Sequence, residues 1–254
     1  MLKQERHDAI TKLCDERGTI SVKEIVDVLG VSDMTVRRDL CELAEEGKLN
    51  RIRGGASSIA DKSERKVPRE FSHTEKRQLH KNEKQHIARI ASGLISEGDT
   101  VFLGAGTTIE LMVGFLPDVH LRVITNSLPV FKLLETRDDC DLCLVGGLYR
   151  PRTGAFVGPM AEEAVSVLGI DKAFIGANGI LDHSISTSNM EEGKFQQLVY
   201  DKADARYLVA DSSKVGKRDF YSFYDLLRLD AFITDSNLTP AQREAISTYT
   251  QVLL

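Results

Sequence analysis

Hydrophobic residues recur with helical spacing at three places within the first fifty residues. The first run covers residues 5–17, the second begins at Val22, and the third is SDMTVRRDLCEL at residues 32–43. Apolar positions three and four residues apart place one face of each helix in a core. The residues predicted to form this core are Ile10, Leu13, Cys14, Val22, Ile25, Val26, Leu29, Val36, Leu40, Leu43 and Ala44.

Capping residues predict where the second and third helices begin. Ser21 with Glu24 forms the pattern of a capping box, in which each side chain bonds the other's backbone N–H. Gly30 is suited to end that helix, and Ser32 is a good N-cap for the next one. Since only Gly30 and Val31 separate the two helices, we predict a helix-turn-helix.

The third helix has polar and charged residues on its outer face, where a helix-turn-helix contacts bases and phosphates. The segment KLNRIRGGASSI after Gly47 predicts an extended hairpin, the wing of a winged helix, whose Lys and Arg commonly contact phosphates. A surface helix with two solvated arginines and a solvated hairpin is the alternative. The residues predicted to bind DNA are Ser32, Asp33, Met34, Thr35, Arg37 and Arg38 in the helix, and Lys48, Arg51 and Arg53 in the wing.

Composition changes abruptly after residue 60. Residues 61–82 are highly charged and contain few aliphatic side chains, which predicts a linker with some helical content near its end. We therefore predict a DNA-binding domain over residues 1–60, the linker, and a second domain over residues 83–254.

The second domain begins with a helix predicted over residues 83–96, with Ile87, Ala88, Ala91, Leu94 and Ile95 as its buried stripe. Short apolar runs alternating with helical patterns then predict an α/β fold, with a mostly parallel sheet covered on both faces. In such sheets, ligands bind beyond the carboxyl ends of the strands. The runs are TVFLGAGTT, LRVITNS, LCLVGG, KAFIGANG, RYLVADSSK and DAFITDS.

Loops at the ends of these runs carry the candidate ligand-binding residues. Backbone N–H groups and threonine hydroxyls at residues 104–108 are suited to phosphate, although the segment matches neither the dinucleotide fingerprint nor a phosphate-binding P-loop. The polar side chains at 125–127 suit sugar hydroxyls, two glycines leave space, and one lysine supplies charge. A tightly packed glycine turn and a solvated lysine are the alternatives. The predicted ligand-binding residues are Gly104, Ala105, Gly106, Thr107, Thr108, Thr125, Asn126, Ser127, Gly146, Gly147 and Lys214.

Composition narrows the class of protein further. A hydrophobic content of 42% and a charged content of 28% are ordinary for a globular protein, and neither a membrane span nor a signal peptide is recognisable. We therefore predict a cytoplasmic protein with no membrane partner. Cys140 and Cys143 have C-x-x-C spacing on a predicted buried strand, but their odd offset sends them to opposite faces. No metal site, cofactor or catalytic residue is predicted.

Charge is distributed unevenly along the chain. Residues 1–89 contain 19 Lys and Arg against 16 Asp and Glu, whereas residues 90–254 contain 14 against 22. This asymmetry favours a DNA-binding N-terminal domain joined to an acidic second domain. Because residues 1–53 contain 10 basic and 11 acidic residues, DNA contact must come from a local patch and from more than one subunit. A homodimer or homotetramer is expected.

The segment VSDMTVRRDLCELAEEGKLNRIRGGA, together with FLGAGTT, VITNS, VGG and DSSK, resembles the DeoR family of bacterial transcription regulators over nearly the whole chain. The resemblance implies a winged helix-turn-helix joined to a sensor domain similar to sugar-phosphate isomerases. It also implies repression of a sugar catabolic operon, here in lactose metabolism, with a phosphorylated sugar such as tagatose 6-phosphate as effector. Many members have aspartate at the position of Gly104, so either the ligand contacts differ or another residue compensates.

Three functions are compatible with these patterns. The leading hypothesis is a repressor without enzymatic activity, which binds double-stranded operator DNA and is released by a phosphorylated sugar. The second is an isomerase or deaminase-like enzyme whose N-terminal domain serves as an oligomerisation arm. The third is architectural DNA binding without a ligand.

Overall fold

Two compact units, Met1–Lys66 and Val67–Leu254, make up the chain. The structure is a computed structural model and describes residues 3–17, 19–52, 54–58 and 71–254. The division between the units falls inside the segment predicted as a linker, which the structure describes from Phe71 onward. The predicted boundaries at residues 60 and 83 stay predictions.

The first unit combines three helices with a small antiparallel sheet, whose strand order is β1-β3-β2. This arrangement is a winged helix-turn-helix and confirms the predicted fold. Its elements are α1 (Lys3–Arg17), β1 (Thr19–Ser21), α2 (Val22–Leu29), α3 (Asp33–Glu45), β2 (Leu49–Ile52) and β3 (Gly55–Ser58).

Local sequence determines the helix boundaries in this unit. Ser21 and Glu24 form both hydrogen bonds of the capping box, and Gly30 adopts a left-handed conformation at φ 67°. Ser32 caps α3, where its hydroxyl accepts a hydrogen bond from the Thr35 N–H at 3.3 Å. The predicted apolar stripes meet in one core that includes the fully buried residues Ile10, Cys14, Ile25, Val36 and Leu43.

The second unit is an α/β domain that also contains two short 3-10 turns, at Ser212–Lys214 and Leu226–Arg228. Its elements are α4 (His73–Gln78), α5 (Lys81–Ser92), β4 (Thr100–Leu103), α6 (Thr107–Val113), β5 (Leu121–Thr125), α7 (Leu128–Leu134), β6 (Cys140–Leu144), β7 (Leu148–Arg150), β8 (Ala155–Val157), α8 (Pro159–Ser166), β9 (Ile170–Ile175), β10 (Gly179–Leu181), β11 (Ser184–Thr187), α9 (Met190–Lys202), β12 (Ala203–Val209), β13 (Tyr221–Asp225), β14 (Ala231–Ile233), α10 (Pro240–Ser247) and β15 (Gln251–Leu253).

A seven-stranded parallel sheet organises this unit, with strand order β15-β14-β12-β9-β4-β5-β6. From β4 the chain adds β5 and β6 on one side, and later adds β9, β12, β14 and β15 on the other. The change of direction creates a topological switch point between β4 and β9, the usual position of a ligand crevice in such sheets. All six predicted strands are present, and the predicted α/β class is confirmed.

Helices cover both faces of the sheet, which is why its strands read as nearly continuous apolar runs. Val101 and Leu103 pack in a core with residues of α5, α6 and α7. Phe102, between them in sequence, points to the opposite core with residues of α8, α9 and α10.

Several details differ from the sequence predictions. The helix predicted over residues 83–96 ends at Ser92, because Gly93 closes it, although Leu94 and Ile95 still join the same core. The strand carrying Cys140 and Cys143 is β6 at the edge of the sheet, not a buried strand, and Cys143 is exposed. The hairpin β7–β8 and the small sheet β10-β11-β13 were not predicted. Within the described residues, no helix has the length and hydropathy needed to cross a membrane.

Candidate functional sites

The outer face of α3 presents a row of exposed side chains. Met34 is 81% exposed, and Arg37 and Arg38 are both exposed. The Arg37 Nε lies 2.5 Å from one oxygen of Asp33, and its Nη2 lies 3.3 Å from the other. The hydrogen bond from Arg37 lowers the pKa of the Asp33 carboxyl. Arg37 is therefore held in one orientation, whereas Arg38 lies 3.4 Å from Glu42.

The hairpin β2–β3 places the wing residues on the surface of the same unit. Lys48 is exposed and pairs with Glu46 at 2.8 Å, and Arg51 is exposed with its Nη1 2.9 Å from the Cys41 sulfur. The Val22 N–H donates to the Gly54 carbonyl at 2.9 Å and so ties the turn of the wing to the start of α2. Arg53 lies outside the described residues.

A buried ion pair that the sequence reading missed locks α3 onto α1. Asp39 is buried and accepts hydrogen bonds from Arg6 at 2.5 and 3.0 Å, with the His7 Nε2 at 3.2 Å. Burial raises the pKa of Asp39, but the hydrogen bonds from Arg6 and His7 outweigh it and leave the pKa below its usual value. The sequence does indicate that Asp39 is buried, because it follows Val36 by three residues and so lies on the apolar face of α3.

The same region brings three metal-ligating side chains together. His7, Asp39 and Glu42 each offer an atom within 4.8 Å of the others. Both carboxylates already face cations, because Arg6 binds Asp39 and the Lys3 ammonium lies 2.6 Å from Glu42. We therefore describe this cluster as an ion-pair network.

A cavity of about 290 Å³ lies in the second unit at the switch point of the sheet. It is lined by segments at the carboxyl ends of β4, β9 and β12, at residues 105–109, 176–178, 209–211 and 213–214. Because these three strands are neighbours and parallel, their carboxyl ends bring the three loops to one place.

The lining of this cavity is rich in basic side chains. Lys76, Lys84, Lys214 and Lys217 contribute to it, with His73 and His80 beside them. Two carboxylates, Glu192 and Asp211, also line it. Four ammonium groups against two carboxylates favour an anion that also carries hydrogen-bonding groups.

Lys84 is a buried cation that the sequence reading missed. Its ammonium donates to the carbonyl of Lys76, in the last turn of α4, at 2.5 Å and to that of Leu79, just beyond the helix, at 2.7 Å. Burial lowers the pKa of this ammonium below its usual value. Helical spacing again indicates the burial, because Lys84 precedes Ile87 by three residues and lies on the buried face of α5.

Glu192 was also not predicted as a site residue. In the sequence it looks like an ordinary acidic residue in the first turn of a helix. It is buried at the start of α9, where its N–H donates to the Asn189 side chain at 3.0 Å. Its carboxylate accepts a hydrogen bond from Arg150 at 2.9 Å and another from the Thr153 hydroxyl. The carboxylate is thus fixed at the cavity wall.

The structure brings five of the predicted ligand-binding residues to this cavity, namely Ala105, Gly106, Thr107, Thr108 and Lys214. Gly104, at the end of β4, donates its N–H to the Phe174 carbonyl at 3.0 Å and is not among the residues lining the cavity. Within the described residues, the other five predicted positions also lie outside the lining.

Those five positions lie at or after the carboxyl ends of β5 and β6, on the opposite side of β4 from the switch point. The Thr125 hydroxyl donates to the Leu103 carbonyl at 2.6 Å, and the Asn126 amide donates to the Phe156 carbonyl at 2.9 Å. The Ser127 hydroxyl accepts from the Val130 N–H at 3.3 Å. Gly146 and Gly147 belong to the separate loop after β6, and a Cβ at Gly147 would lie 2.6 Å from a backbone oxygen. A ligand role for these residues stays a prediction.

A winged helix-turn-helix followed by an α/β unit with a basic cavity at its switch point defines a DNA-binding transcription regulator with a ligand-sensing domain. The chain belongs to the DeoR family. Residues 6–62 match the DeoR-like helix-turn-helix domain, and residues 79–236 match the DeoR C terminal sensor domain.

Two relatives match the chain over its whole length. The chain is 42% identical over 255 residues to the lactose phosphotransferase system repressor of Streptococcus mutans serotype c, covering 100% of both chains. It is 43% identical over 256 residues to the repressor of the same name from Lactococcus lactis subsp. lactis, covering 100% of this chain and 99% of that one.

Solved structures resemble parts of the chain at low identity. Ribose 5-phosphate isomerase A from Methanocaldococcus jannaschii matches 53% of this chain and 54% of its own, with 18% identity and a TM-score of 0.40. The eIF2B beta subunit from Chaetomium thermophilum matches 66% and 54%, with 12% identity and a TM-score of 0.47.

Proposed function

We propose that this protein represses a sugar catabolic operon by binding operator DNA through α3 and the wing, and that a phosphorylated sugar in the cavity of the second unit releases it. The observation that carries the proposal is a cavity lined by four lysines in a chain whose other unit presents a capped recognition helix. Relatives named as repressors, at 42 to 43% identity over the whole chain, support it.

The chemistry of the cavity suits a compact sugar phosphate. Lysine ammonium groups such as those of Lys76 and Lys214 are compact charges that bind phosphate. Glu192, Asp211 and Asn178 offer groups that accept hydrogen bonds from sugar hydroxyls. The two carboxylates supply the function that the family resemblance associates with an aspartate at the position of Gly104. A volume of about 290 Å³ is near the lower end of small-molecule sites, which favours a ligand of this size.

Tagatose 6-phosphate is our proposed effector. The relatives are named as repressors of a lactose phosphotransferase system, and the sequence resemblance implies this intermediate. To release the operator, the sugar phosphate must bind the DNA-free arrangement more tightly than the DNA-bound one, because a ligand with equal affinity for both shifts nothing.

Operator binding in the presence of sugar phosphates tests the proposal. An operator is selected by the full chain from randomised DNA, and its affinity is measured by fluorescence anisotropy at fixed salt. We expect tagatose 6-phosphate to weaken operator binding at least tenfold and glucose 6-phosphate to have less effect. A thermal-shift measurement on the same samples reports binding directly, since a ligand at 100 times its dissociation constant stabilises by about 2.7 kcal/mol.

Lys214→Met serves as the matched variant because it removes one cationic lining group and lies outside the DNA-binding unit. We expect the variant to bind operator as the parent does and to need at least tenfold more sugar phosphate for release. If no sugar phosphate in a hexose and pentose panel alters operator affinity, the sensing function is wrong. Turnover of any member of the panel would instead support the isomerase or deaminase-like alternative.

A further inference from the structure

One wall of the basic cavity is made by the short helix α4 and the residues that follow it. His73 and Lys76 of α4 line the cavity, as do Leu79 and His80 directly after it. Ser72 and Glu75 form a capping box that sets the start of this helix. Along the chain, α4 comes directly after residues 59–72, through which the polypeptide leaves the DNA-binding unit. The cavity wall and the start of the connection to the DNA-binding unit are therefore the same segment.

Polar contacts hold α4 to the body of the second unit. The Lys76 ammonium donates to the Asn178 side-chain oxygen at 2.8 Å, and His73 pairs with the buried Glu110. The His73 N–H donates to the Arg152 carbonyl at 2.9 Å. None of the six residues of α4, all of which the structure describes, is buried. A helix without buried apolar side chains belongs to the least stable parts of a fold, and its stability depends on these polar contacts.

Several of the residues that hold α4 also line the cavity. Lys76 and its acceptor Asn178 both belong to the lining, as does His73. Lys84 lines the cavity too, and its ammonium holds the carbonyls of Lys76 and Leu79 at the C-terminal end of α4. An anion in the cavity would lie beside the ammonium groups of Lys76 and Lys84, and burial disfavours the charged form of Lys84. Occupancy of the cavity and attachment of α4 must therefore be coupled.

We propose that α4 is the readout element of the sensor domain, and that a phosphorylated ligand contacts Lys76 and fastens α4 against the cavity. Fastening fixes the point from which the chain departs toward the DNA-binding unit, and this changes how that unit can be placed on an operator. Lys84 acts as a positioning residue, because it holds the end of α4 through backbone carbonyls. The inference rests on the proposed function and adds to it the route by which the ligand is sensed.

Hydrogen exchange on the full chain tests this inference, with tagatose 6-phosphate as the probe. Peptides covering α4 should exchange at least tenfold more slowly at a saturating concentration of the sugar phosphate. Peptides covering α3 serve as the internal reference and should change less than twofold. If tagatose 6-phosphate shifts the melting temperature while exchange in α4 stays unchanged or becomes faster, the readout role is wrong.

Two matched variants of α4 separate readout from folding. Lys76→Met removes a cation that faces the cavity, whereas Arg77→Met removes a neighbouring exposed cation that does not line it. We expect both variants to bind operator within twofold of the parent when no ligand is present. Lys76→Met should require at least tenfold more tagatose 6-phosphate for release and should lose the slowed exchange of α4, while Arg77→Met should respond as the parent does.

The possible results distinguish this inference from the proposed function. Normal release by Lys76→Met, or equal loss in both variants, overturns the readout role and leaves the sugar-phosphate repressor intact. If the parent shows neither a thermal shift nor operator release with tagatose 6-phosphate or any other sugar phosphate of the panel, the proposed function fails and this inference fails with it.

Discussion

Arg37 and Arg38 are neighbours on the outer face of α3, yet their guanidinium groups are held differently. Arg37 makes two hydrogen bonds to the Asp33 carboxylate, whereas Arg38 lies 3.4 Å from Glu42 with its side chain 81% exposed. A guanidinium held in one plane can donate two parallel hydrogen bonds to a guanine edge, but a mobile one suits the less demanding geometry of a phosphate. We therefore expect Arg37 to read a base and Arg38 to contact the backbone.

Substitution of the two arginines by alanine should have different consequences. Arg37→Ala should weaken binding to the selected operator by about tenfold to a hundredfold and leave scrambled DNA almost unaffected. Arg38→Ala should weaken both DNAs alike and reduce the slope of log affinity against log salt by about one. Competition assays at several salt concentrations measure both effects. Asp33→Asn is the control that keeps Arg37 but loosens it, and equal losses on operator and scrambled DNA for Arg37→Ala would contradict base reading.

For single residues, position along a helix predicted burial that the chemical type of the side chain did not. Asp39 and Lys84 fall on the apolar faces of α3 and α5, so their burial could have been read from spacing alone. Their partners could not, because Arg6 is 33 residues from Asp39. Thr125 and Asn126 lie at a strand end, where polar residues suggest a ligand; their side chains bond backbone carbonyls, and their ligand role stays a prediction. Strand order determines which strand ends lie beside the cavity, and strand order is not a local property.

Among the strands and helices, those whose apolar runs contrast clearly with the polar sequence around them could be predicted. Five of the six predicted strands lie inside the parallel sheet between helices on both faces, the sixth, β6, lies at its edge, and all six stand out as apolar runs. The hairpin β7–β8 and the strands β10 and β11 are three or four residues long and lie outside that sheet. Such short elements owe their conformation to tertiary contacts more than to their own pattern. The role of α4 in the cavity wall was hidden for the same reason.

The ion pair between α1 and α3 predicts an acid-sensitive DNA-binding unit. Because the pKa of Asp39 in the folded state lies below its unfolded value of about 3.8, its contribution to stability is present above that pH. It is lost as the pH falls through the lower folded-state pKa. Asp39→Asn removes hydrogen bonds to a charged group and should destabilise the unit by about 2 kcal/mol at neutral pH.

Hydrogen exchange in α3 of the full chain measures this stability without separating the units. Exchange in the Asp39→Asn variant should be faster at neutral pH, and the difference from the parent should shrink as the pH approaches the folded-state pKa of Asp39. Asp33→Asn is the matched control, because Asp33 is exposed and pairs only at the surface. Equal exchange in the Asp39→Asn variant and the parent would show that the pair does not hold α1 to α3.

The distribution of charge over the whole molecule bears on how it binds DNA. Residues 1–53 are close to neutral, and residues 90–254 contain 22 acidic against 14 basic residues. Long-range attraction to a polyanion is therefore weak, and we expect affinity to come from local contacts of Arg37, Arg38, Lys48 and Arg51. Two copies on adjacent half-sites double these contacts, which is why we propose that the protein acts as a homodimer or homotetramer.

Half-site spacing tests the paired arrangement. Two recognition helices fixed within one oligomer must enter the major groove on the same side of the duplex, about 34–36 Å or a multiple apart. Inserting about five base pairs between the half-sites of the selected operator rotates one half-site by half a turn, and we expect affinity to fall at least tenfold. Inserting about ten base pairs restores the phase and should recover much of that loss wherever the assembly spans the longer distance. A single half-site that binds as tightly as the full operator, or equal affinity for all three spacings, would show that each copy binds independently.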